Sequence, residues 1–286
     1  NRHRIMKKFL RIVSVCAAAF CCCAYYPDSA FAGPSKPRKV GVQMYTFHTM
    51  TLEDSLPLLK NAGIKGVGLT AGQALSRKYP NVKRIGPDMN REERDYLKKI
   101  LADNGCVPVS FGVYYTSKKS DIDRACAFAK DIGVPIILTE APADWLDEWE
   151  KCCEKHGVKM ALHNHASDSK ANNYYDPKVV RDLVKKYKNI YACPDNGHWS
   201  RSGIDGVEGY KTLEGKIAIL HFKDQKEFGN IKNQPVVFGT GALDMKGLLA
   251  ELDRQGFDGY FLIEHEANYG KNLPEVVKCA EYLKTH

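Results

Sequence analysis

The chain has 286 residues, 44% of them apolar and 27% charged, with a formal net charge of +8. That composition excludes a disordered polyelectrolyte and allows one large domain with its own core. Half of the surplus positive charge lies in residues 1–32, and the +4 that remains beyond them is too small to indicate a polyanion, so no nucleic-acid partner is expected.

Residues 1–32 read as upstream residues followed by a secretory signal peptide. Met6-Lys7-Lys8 with Arg11 makes a basic start, residues 12–24 are apolar and uncharged, and Ala30-Phe31-Ala32 offers a small-x-small cleavage site. An exported, periplasmic protein is the expectation. The apolar run is too short to cross a bilayer, so no membrane span is expected. Lipoprotein anchoring through Cys16 or Cys21 to Cys23 fits less well, because the residues before them do not match such a signal. Six cysteines lie beyond residue 32 without a C-x-x-C pair or regular spacing, so they read as buried thiols, not as a metal ribbon or disulfide framework.

In chain order, residues 33–39 carry two prolines and three bases and read as a linker. Residues 40–45 form the first expected strand, and a helix over 51–62 follows, with Thr51 as N-cap and Gly63 at its end. A short second strand spans 65–70. Residues 71–88 have no strong pattern and are expected over the surface or the site. A helix (90–104), a strand (106–114), a helix (118–131) and a strand (135–139) come next. They are followed by a helix (143–156), a strand (158–163), a proline-opened helix (176–188) and a strand (189–193). The remainder reads as a short helix (206–213), a strand (216–222), a loop (226–238), a helix (244–255), the eighth strand (260–263) and a last helix (273–284). Strict alternation implies parallel strands with right-handed crossovers, and eight such units make an α/β fold of the (βα)8 TIM-barrel type over residues 40–286. An open doubly wound sheet is disfavoured because no G-x-G-x-x-G turn follows the first strand.

The last five expected strands share a form. Each is an apolar run that ends in a carboxylate or an imidazole. Because residues i and i+2 of a strand face the same way, Ile136, Leu138 and Glu140 share a face, as do Ala161, His163 and His165. So do Tyr191, Cys193 and Asp195; Ile217, Ile219, His221 and Lys223; and Leu262, Glu264 and Glu266, which puts His265 on the opposite side. If these faces look inward, Glu140, His163, Asp195, His221 and Glu264 meet above the core, with His165, His198, Lys223 and Glu266 as a rim. Three carboxylates and two imidazoles at one mouth are costly unless a cation joins them. Their mixed nitrogen and oxygen donors suit Mn or Zn, with Co or Mg as alternatives. Each residue also has a plain structural reading: Glu140 as a helix-start acid, Asp195 as a turn cap, the histidines as hydrogen-bonded core groups. It is their convergence that argues for chemistry.

Gln43 and Tyr45, at the end of the first strand, are candidates for substrate contact, and Trp199 beside His198 is a candidate for stacking on a sugar ring. Trp145 reads as core. Gly239-Thr240-Gly241 reads as a tight turn, since no P-loop lysine follows it.

Glu140, His163-Asn164-His165, Pro194-Asp195-Asn196-Gly197-His198, His221-Phe222-Lys223-Asp224, Phe238-Gly239-Thr240-Gly241 and Ile263-Glu264 together resemble the xylose isomerase-like TIM barrel superfamily, in particular its bacterial sugar phosphate isomerase/epimerase proteins. The resemblance runs from Val40 to the C-terminus. It implies a divalent metal held at the positions of His163, Asp195, His221 and Glu264. His163 stands where the ketose epimerases of that superfamily have a catalytic glutamate, and Glu140 is expected to supply the missing carboxylate. The resemblance therefore implies a metal-dependent sugar isomerase or epimerase working through an enediolate on a free sugar or keto-sugar. His163, His165 or Glu264 would act as base, Lys223 would stabilise charge, and Gln43, Tyr45, His198, Trp199 and Glu266 would bind substrate. A related group with H-x-H at this place implies an alternative, a metal-dependent lyase that eliminates the aglycone of 3-keto-glycosides. A non-catalytic exported sugar-binding protein is the alternative from a different class. A nuclease on this fold would need a fuller histidine-rich site and a strongly basic face. A small carbohydrate is thus the expected partner, and the sequence leaves open whether the protein forms an oligomer.

Overall fold

The structure is a computed structural model that describes residues 37–169 and 173–286. The N-terminal segment read as a signal peptide, and most of the linker after it, lie outside the described residues. The barrel strands are β1 (Lys39–Gln43), β2 (Gly66–Leu69), β3 (Val107–Phe111), β4 (Ile136–Thr139), β5 (Lys159–His163), β6 (Ile190–Cys193) and β7 (Leu220–Phe222). After a hairpin of β8 (Asp224–Gln225) and β9 (Pro235–Val236), β10 (Tyr260–Ile263) completes the set. All neighbours in the eight-stranded sheet pair parallel, in the order β6-β5-β4-β3-β2-β1-β10-β7. Two isolated bridges, Ala192 to Ile217 and Asp195 to His221, join β6 to β7 and close the ring.

Helices α1 (Leu52–Asn61), α2 (Arg91–Asp103), α3 (Ile122–Asp131), α4 (Leu146–His156), α5 (Pro177–Val184), α6 (Asn196–Arg201), α7 (Gly206–Thr212), α8 (Met245–Arg254) and α9 (Leu273–Thr285) connect the strands. Their starts follow local chemistry. Thr51 accepts a hydrogen bond from the Asp54 N–H, Asn90 and Glu93 form a reciprocal capping box, and Asp176 caps α5 with Pro177 at its first position. Gly157, at φ 69°, ends α4 in the left-handed conformation that glycine takes without strain. No helix among the described residues is long and apolar enough to cross a membrane.

The main departures from the expected elements fall on the sixth and seventh units. The seventh strand begins at Leu220 instead of residue 216, because its ladder to β10 starts only at the Leu220–Phe261 pair. Helix α6 was not expected: its residues Asn196 and Gly197 read as a turn, but the Asp195 carboxylate caps them into a helix by accepting from the His198 N–H at 2.9 Å. The linker also ends sooner than expected. Arg38 is fixed by a two-pronged ion pair to Asp253, at 2.6 and 2.9 Å, and β1 starts at Lys39.

Two apolar clusters hold the molecule together. The larger lies between strands and helices and takes in Trp149, Phe111, Phe128, Phe222 and Leu283. The smaller fills the barrel with Val109, Leu138, Ala161, Cys193, Ile219 and Leu262. On β2 the inward positions are glycines. A Cβ on Gly66 would come within 2.7 Å of the Tyr260 ring, and one on Gly68 within 2.5 Å of the Gln43 side chain, so residues of β1 and β10 occupy that volume. The inner cluster sets up the site, because two residues beyond Leu138, Ala161, Cys193, Ile219 and Leu262 stand Glu140, His163, Asp195, His221 and Glu264. All six cysteines beyond residue 32 are buried and unpaired by disulfides.

Candidate active site at the C-terminal mouth of the barrel

The strand period lifts five polar side chains into one layer directly above the apolar filling of the barrel. Glu140, His163, Asp195, His221 and Glu264 are each 7% exposed or less. Burial on this scale amplifies every charge in the layer, since water no longer screens it. The layer divides into two overlapping groups that share His163. Glu140, His163 and His165 form one, and His163, Asp195 and His221 the other; within each, one donor atom per residue lies within 4.8 Å of the others, close enough to hold a metal ion.

In the first group a single oxygen is shared. Glu140 Oε1 meets His163 Nδ1 at 2.9 Å and also meets His165 Nδ1. Burial pushes the Glu140 carboxyl up, but the hydrogen bonds to His163 and His165 outweigh it and hold the group down at about 2. An ionised carboxylate can only accept, so both Nδ1 atoms donate and both imidazoles present Nε2 on their far side. His163 Nε2 is buried without a hydrogen-bond partner and lies 3.7 Å from Asp195 Oδ2.

The second group is fully buried, and His221 Nε2 in it has no hydrogen-bond partner. His221 Nδ1 lies 3.7 Å from Asp195 Oδ2 and 3.2 Å from Glu264 Oε2. His163 Nε2 and His221 Nε2 have no partner, and together with Asp195 Oδ2 and Glu264 Oε2 beside them they form a buried nitrogen and oxygen donor set that fits a divalent cation. The same fields act on protons. Burial lowers the His221 pKa, but the Glu264 and Asp195 carboxylates beside it raise it to about 9. Burial likewise works against the protonated form of His163, and the Asp195 and Glu140 carboxylates beside it raise its pKa.

Lys223, expected at the rim, is instead buried at 1% exposure beneath the mouth. Its Nζ lies 2.9 Å from Asp195 Oδ2 and 2.7 Å from Glu264 Oε2, and it also pairs with Glu266. Burial alone would lower its pKa, but these three carboxylates hold it well above the ordinary lysine value. His198 shows the opposite balance: burial, with Lys223 and the other imidazoles nearby, keeps it well below the usual histidine value despite Asp195, so its ring is neutral.

Two asparagines act as splints that sequence reasoning missed. Asn164 accepts from the Asp195 N–H at 2.9 Å and donates to the Asp195 carbonyl, and Asn196 does the same for Lys223, accepting at 3.0 Å. Each extends the ladder past its strand end and fixes the polar residue of the next strand. Their signal was their position, one residue after His163 and Asp195.

The mouth opens into a cavity of about 250 Å³. Gln43, Tyr45, His163, His165, His198, Glu264 and Glu266 line it, joined by Thr70, Arg84 and Tyr115, which the sequence did not single out. Tyr115 lies just past the strand that was expected to end at residue 114, two positions from the lining residue Val113, and its hydroxyl is 3.5 Å from His165 Nδ1. Arg84 comes from the patternless excursion after β2. Gln43 donates to the Gly112 carbonyl at 2.8 Å, which leaves its buried Oε1 without a partner. Trp199 is a correction: it sits on α6 at 1% exposure, packed on Tyr210 at 5.5 Å and over Gly209, and is no part of the cavity. Gly239-Thr240-Gly241 is a turn, as expected, and its Gly239 and Gly241 N–H groups are taken by the Asp224 carboxylate at 2.9 Å each.

Comparison with known proteins agrees with this architecture. A model of the xylose isomerase-like TIM barrel family matches residues 56–286. An inosose dehydratase of Clostridium perfringens is 24% identical over 158 residues, which is 50% of this chain and 52% of that protein, so the chain spans about half the length of the curated relatives it matches. A crystal structure of an uncharacterised protein from Parabacteroides distasonis superposes with a TM-score of 0.70 at 28% identity, over 86% of this chain and 98% of that one. A D-tagatose 3-epimerase-like protein superposes at 0.67 with 17% identity, over 86% and 96%, which speaks to the fold alone. With its barrel closed and the family match running from α1 to the last residue, this chain belongs to the xylose isomerase-like TIM barrel family.

Proposed function

We propose that this protein is a divalent-metal-dependent enzyme that removes the proton next to a carbonyl of a free sugar or keto-sugar, giving isomerisation or epimerisation through an enediolate. The observation that carries the proposal is the Glu140–His165 pair, opening on a cavity beside a buried set of nitrogen and oxygen donors. His163, Asp195 and His221, with Glu264 alongside, would hold Mn or Zn. When bound there, the ion supplies the positive charge that polarises the carbonyl and makes its α-hydrogen acidic.

The residues of the chain do the rest. His165 Nε2 takes the proton, while Glu140 keeps Nδ1 protonated and stabilises the imidazolium that forms. Lys223, held by Asp195, Glu264 and Glu266, adds fixed positive charge under the reacting carbons. Gln43 Oε1 accepts from a substrate hydroxyl, and the neutral His198 ring binds a second. A cavity of about 250 Å³ falls just below the roughly 300–1,000 Å³ of drug-sized sites and suits one sugar ring. A signal peptide in residues 1–32 would place this chemistry in the periplasm.

Elimination is the second reading, favoured by the inosose dehydratase relatives and by the neutral His198, whose ring lies 4.8 Å from that of His165. After the same proton abstraction, the His165 imidazolium would return its proton to a departing β-hydroxyl, which leaves as water while the neutral His198 ring hydrogen-bonds the leaving oxygen. One experiment separates these outcomes. The metal-loaded protein is incubated in D₂O with ketoses, aldoses and keto-inositols and followed by NMR. Deuterium entering the α-position with a new epimer or isomer supports the first reading, and a new alkene resonance supports the second. No exchange with any substrate defeats both.

A further inference from the structure

A second cavity, of about 260 Å³, lies outside the barrel between α6, the start of α7, the start of α8 and the turn after β8. It shares no lining residue with the catalytic cavity. Ile204, Val207, Phe228, Leu243 and Leu248 give it apolar walls, and Phe228 is 53% exposed. Apolar surface left open in this way commonly marks a binding site.

The walls are fixed. The loop that carries Phe228 is tied to α6 where the Gly229 N–H donates to the Ser200 carbonyl at 2.8 Å and Arg201 Nε donates to the Ile231 carbonyl at 2.7 Å. Helices α7 and α8 approach closely, since a Cβ on Gly206 would come within 2.7 Å of the Leu248 side chain. Two features of this cavity are unmatched. Ser200 lines it at 1% exposure, and its hydroxyl is buried without a hydrogen-bond partner, which a buried polar group rarely tolerates. Asp205 and Asp244 stand exposed at the rim. Each caps a helix through Oδ1, Asp205 accepting from the Glu208 N–H at 3.1 Å and Asp244 from the Gly247 N–H at 2.9 Å, and neither forms an ion pair among the described residues.

An apolar groove, a buried hydroxyl without a partner and two unpaired carboxylates at the rim are complementary to one kind of ligand. We infer that this cavity binds a small amphipathic amine: its apolar body lies against Leu243, Leu248 and Phe228, its ammonium sits between Asp205 and Asp244, and a hydroxyl at its far end meets Ser200. The two carboxylates disfavour an anion, and the apolar walls disfavour a bare metal ion. The site stands apart from the sugar chemistry of the barrel mouth and does not depend on it.

The test uses the full chain and equilibrium binding by calorimetry, with four probes: tyramine, phenethylamine, 4-ethylphenol and 4-hydroxyphenylpropionate. Tyramine should bind tightest, roughly fivefold tighter than 4-ethylphenol, and the carboxylate probe weakest. Asparagine caps a helix about as well as aspartate, so the double variant Asp205→Asn, Asp244→Asn keeps the fold and should bring tyramine down to the affinity of 4-ethylphenol. Ser200→Ala should bring it down to that of phenethylamine. Glu266→Gln, in the acidic mouth of the barrel, should leave tyramine binding unchanged. Failure of all four probes to bind overturns the site, and so does tyramine affinity that survives the double Asp variant. Tyramine binding lost in Glu266→Gln moves the amine to the barrel mouth and overturns the inference as well. Equal binding of tyramine and phenethylamine to the native protein overturns the part given to Ser200.

Discussion

Replacing Glu140 by Gln tests the catalytic pair most directly, because it changes charge without changing volume. The native carboxylate accepts from His163 Nδ1 at 2.9 Å and from His165 Nδ1 through the same oxygen. Hydrogen bonds to a charged group contribute about 1.5–3 kcal/mol each, roughly twice a neutral bond. An amide oxygen could keep both contacts but would lose the charge. The imidazolium that forms on His165 in the transition state would then be less stable by about 2 kcal/mol, some thirtyfold in rate. If the amide instead turns its NH₂ towards His165, the tautomer reverses and the loss approaches the ~10⁴-fold seen when a triad carboxylate is replaced by an amide. The assay is α-deuterium exchange on the best substrate, with bound metal measured on the same sample. The expected result is a drop of at least thirtyfold with metal content kept, since Asp195, His221 and Glu264 are untouched. Full exchange activity in Glu140→Gln would refute the role given to the pair. Loss of the metal from a folded variant would show that Glu140 holds the ion, either as a ligand or by orienting His163.

Asp195→Ala should abolish both metal binding and turnover, because Asp195 Oδ2 is the carboxylate oxygen that lies between the two imidazoles, 3.7 Å from His163 Nε2 and 3.7 Å from His221 Nδ1; dialysis followed by metal analysis checks it. Lys223→Met leaves three carboxylates facing one another in a buried site. It should cost about 3–5 kcal/mol, seen as a melting temperature lower by roughly 10 °C, and added Mn or Zn should restore part of the loss; an unchanged melting curve would contradict the burial argument. Asp224→Asn keeps one acceptor oxygen and turns an NH₂ towards either Gly239 and Gly241 or Gln225 and Leu243, the two pairs of N–H groups that the two Asp224 oxygens now cap. Hydrogen exchange at one of these pairs should rise while metal content stays constant. Trp199→Phe should lower stability by about 1–3 kcal/mol without altering sugar affinity, and a selective loss of affinity would return Trp199 to the site.

The sequence carries this barrel through one rule, the two-residue period of a strand. It placed Leu138, Ala161, Cys193, Ile219 and Leu262 inside and, two residues on, Glu140, His163, Asp195, His221 and Glu264 above them. It also set His265 on the far side, where that residue bonds to Glu275. The rule stops where strands stop. Trp199 follows Asp195 by four residues, but those residues form a helical turn, so neither period nor proximity says which way its ring points. Only the capping bond from His198 N–H to Asp195 shows that the helix exists. Tyr115 and Arg84 come from loops, whose course depends on contacts across the barrel. Lys223 was placed on the correct face but at the wrong depth, because depth is decided by three carboxylates from β6 and β10 and the turns after them that no local pattern reveals.

The same rule explains why the site is built from opposed charges instead of a single ligand shell. Five of the strands that contribute to the filling of the barrel change from apolar to polar within two residues, so the polar layer rests on a surface that cannot solvate it. Four carboxylates, Glu140, Asp195, Glu264 and Glu266, would be prohibitive there if left alone. The chain gives each a partner of fixed geometry: two imidazole N–H groups for Glu140, and the Lys223 ammonium for the other three. After that pairing, His163 Nε2 and His221 Nε2 remain unmatched, in a layer where Asp195 Oδ2 lies 3.7 Å from both rings. Lys223 and a divalent ion would therefore approach Asp195 from different sides, and neither could take over the other's part. The ammonium cannot satisfy imidazole lone pairs, because it carries donors only. An ion seated among the imidazoles would leave Glu266 without its countercharge. That division keeps positive charge on both flanks of Asp195, beneath a cavity whose one imidazole with a substantially exposed side chain, His165, is already aligned by Glu140.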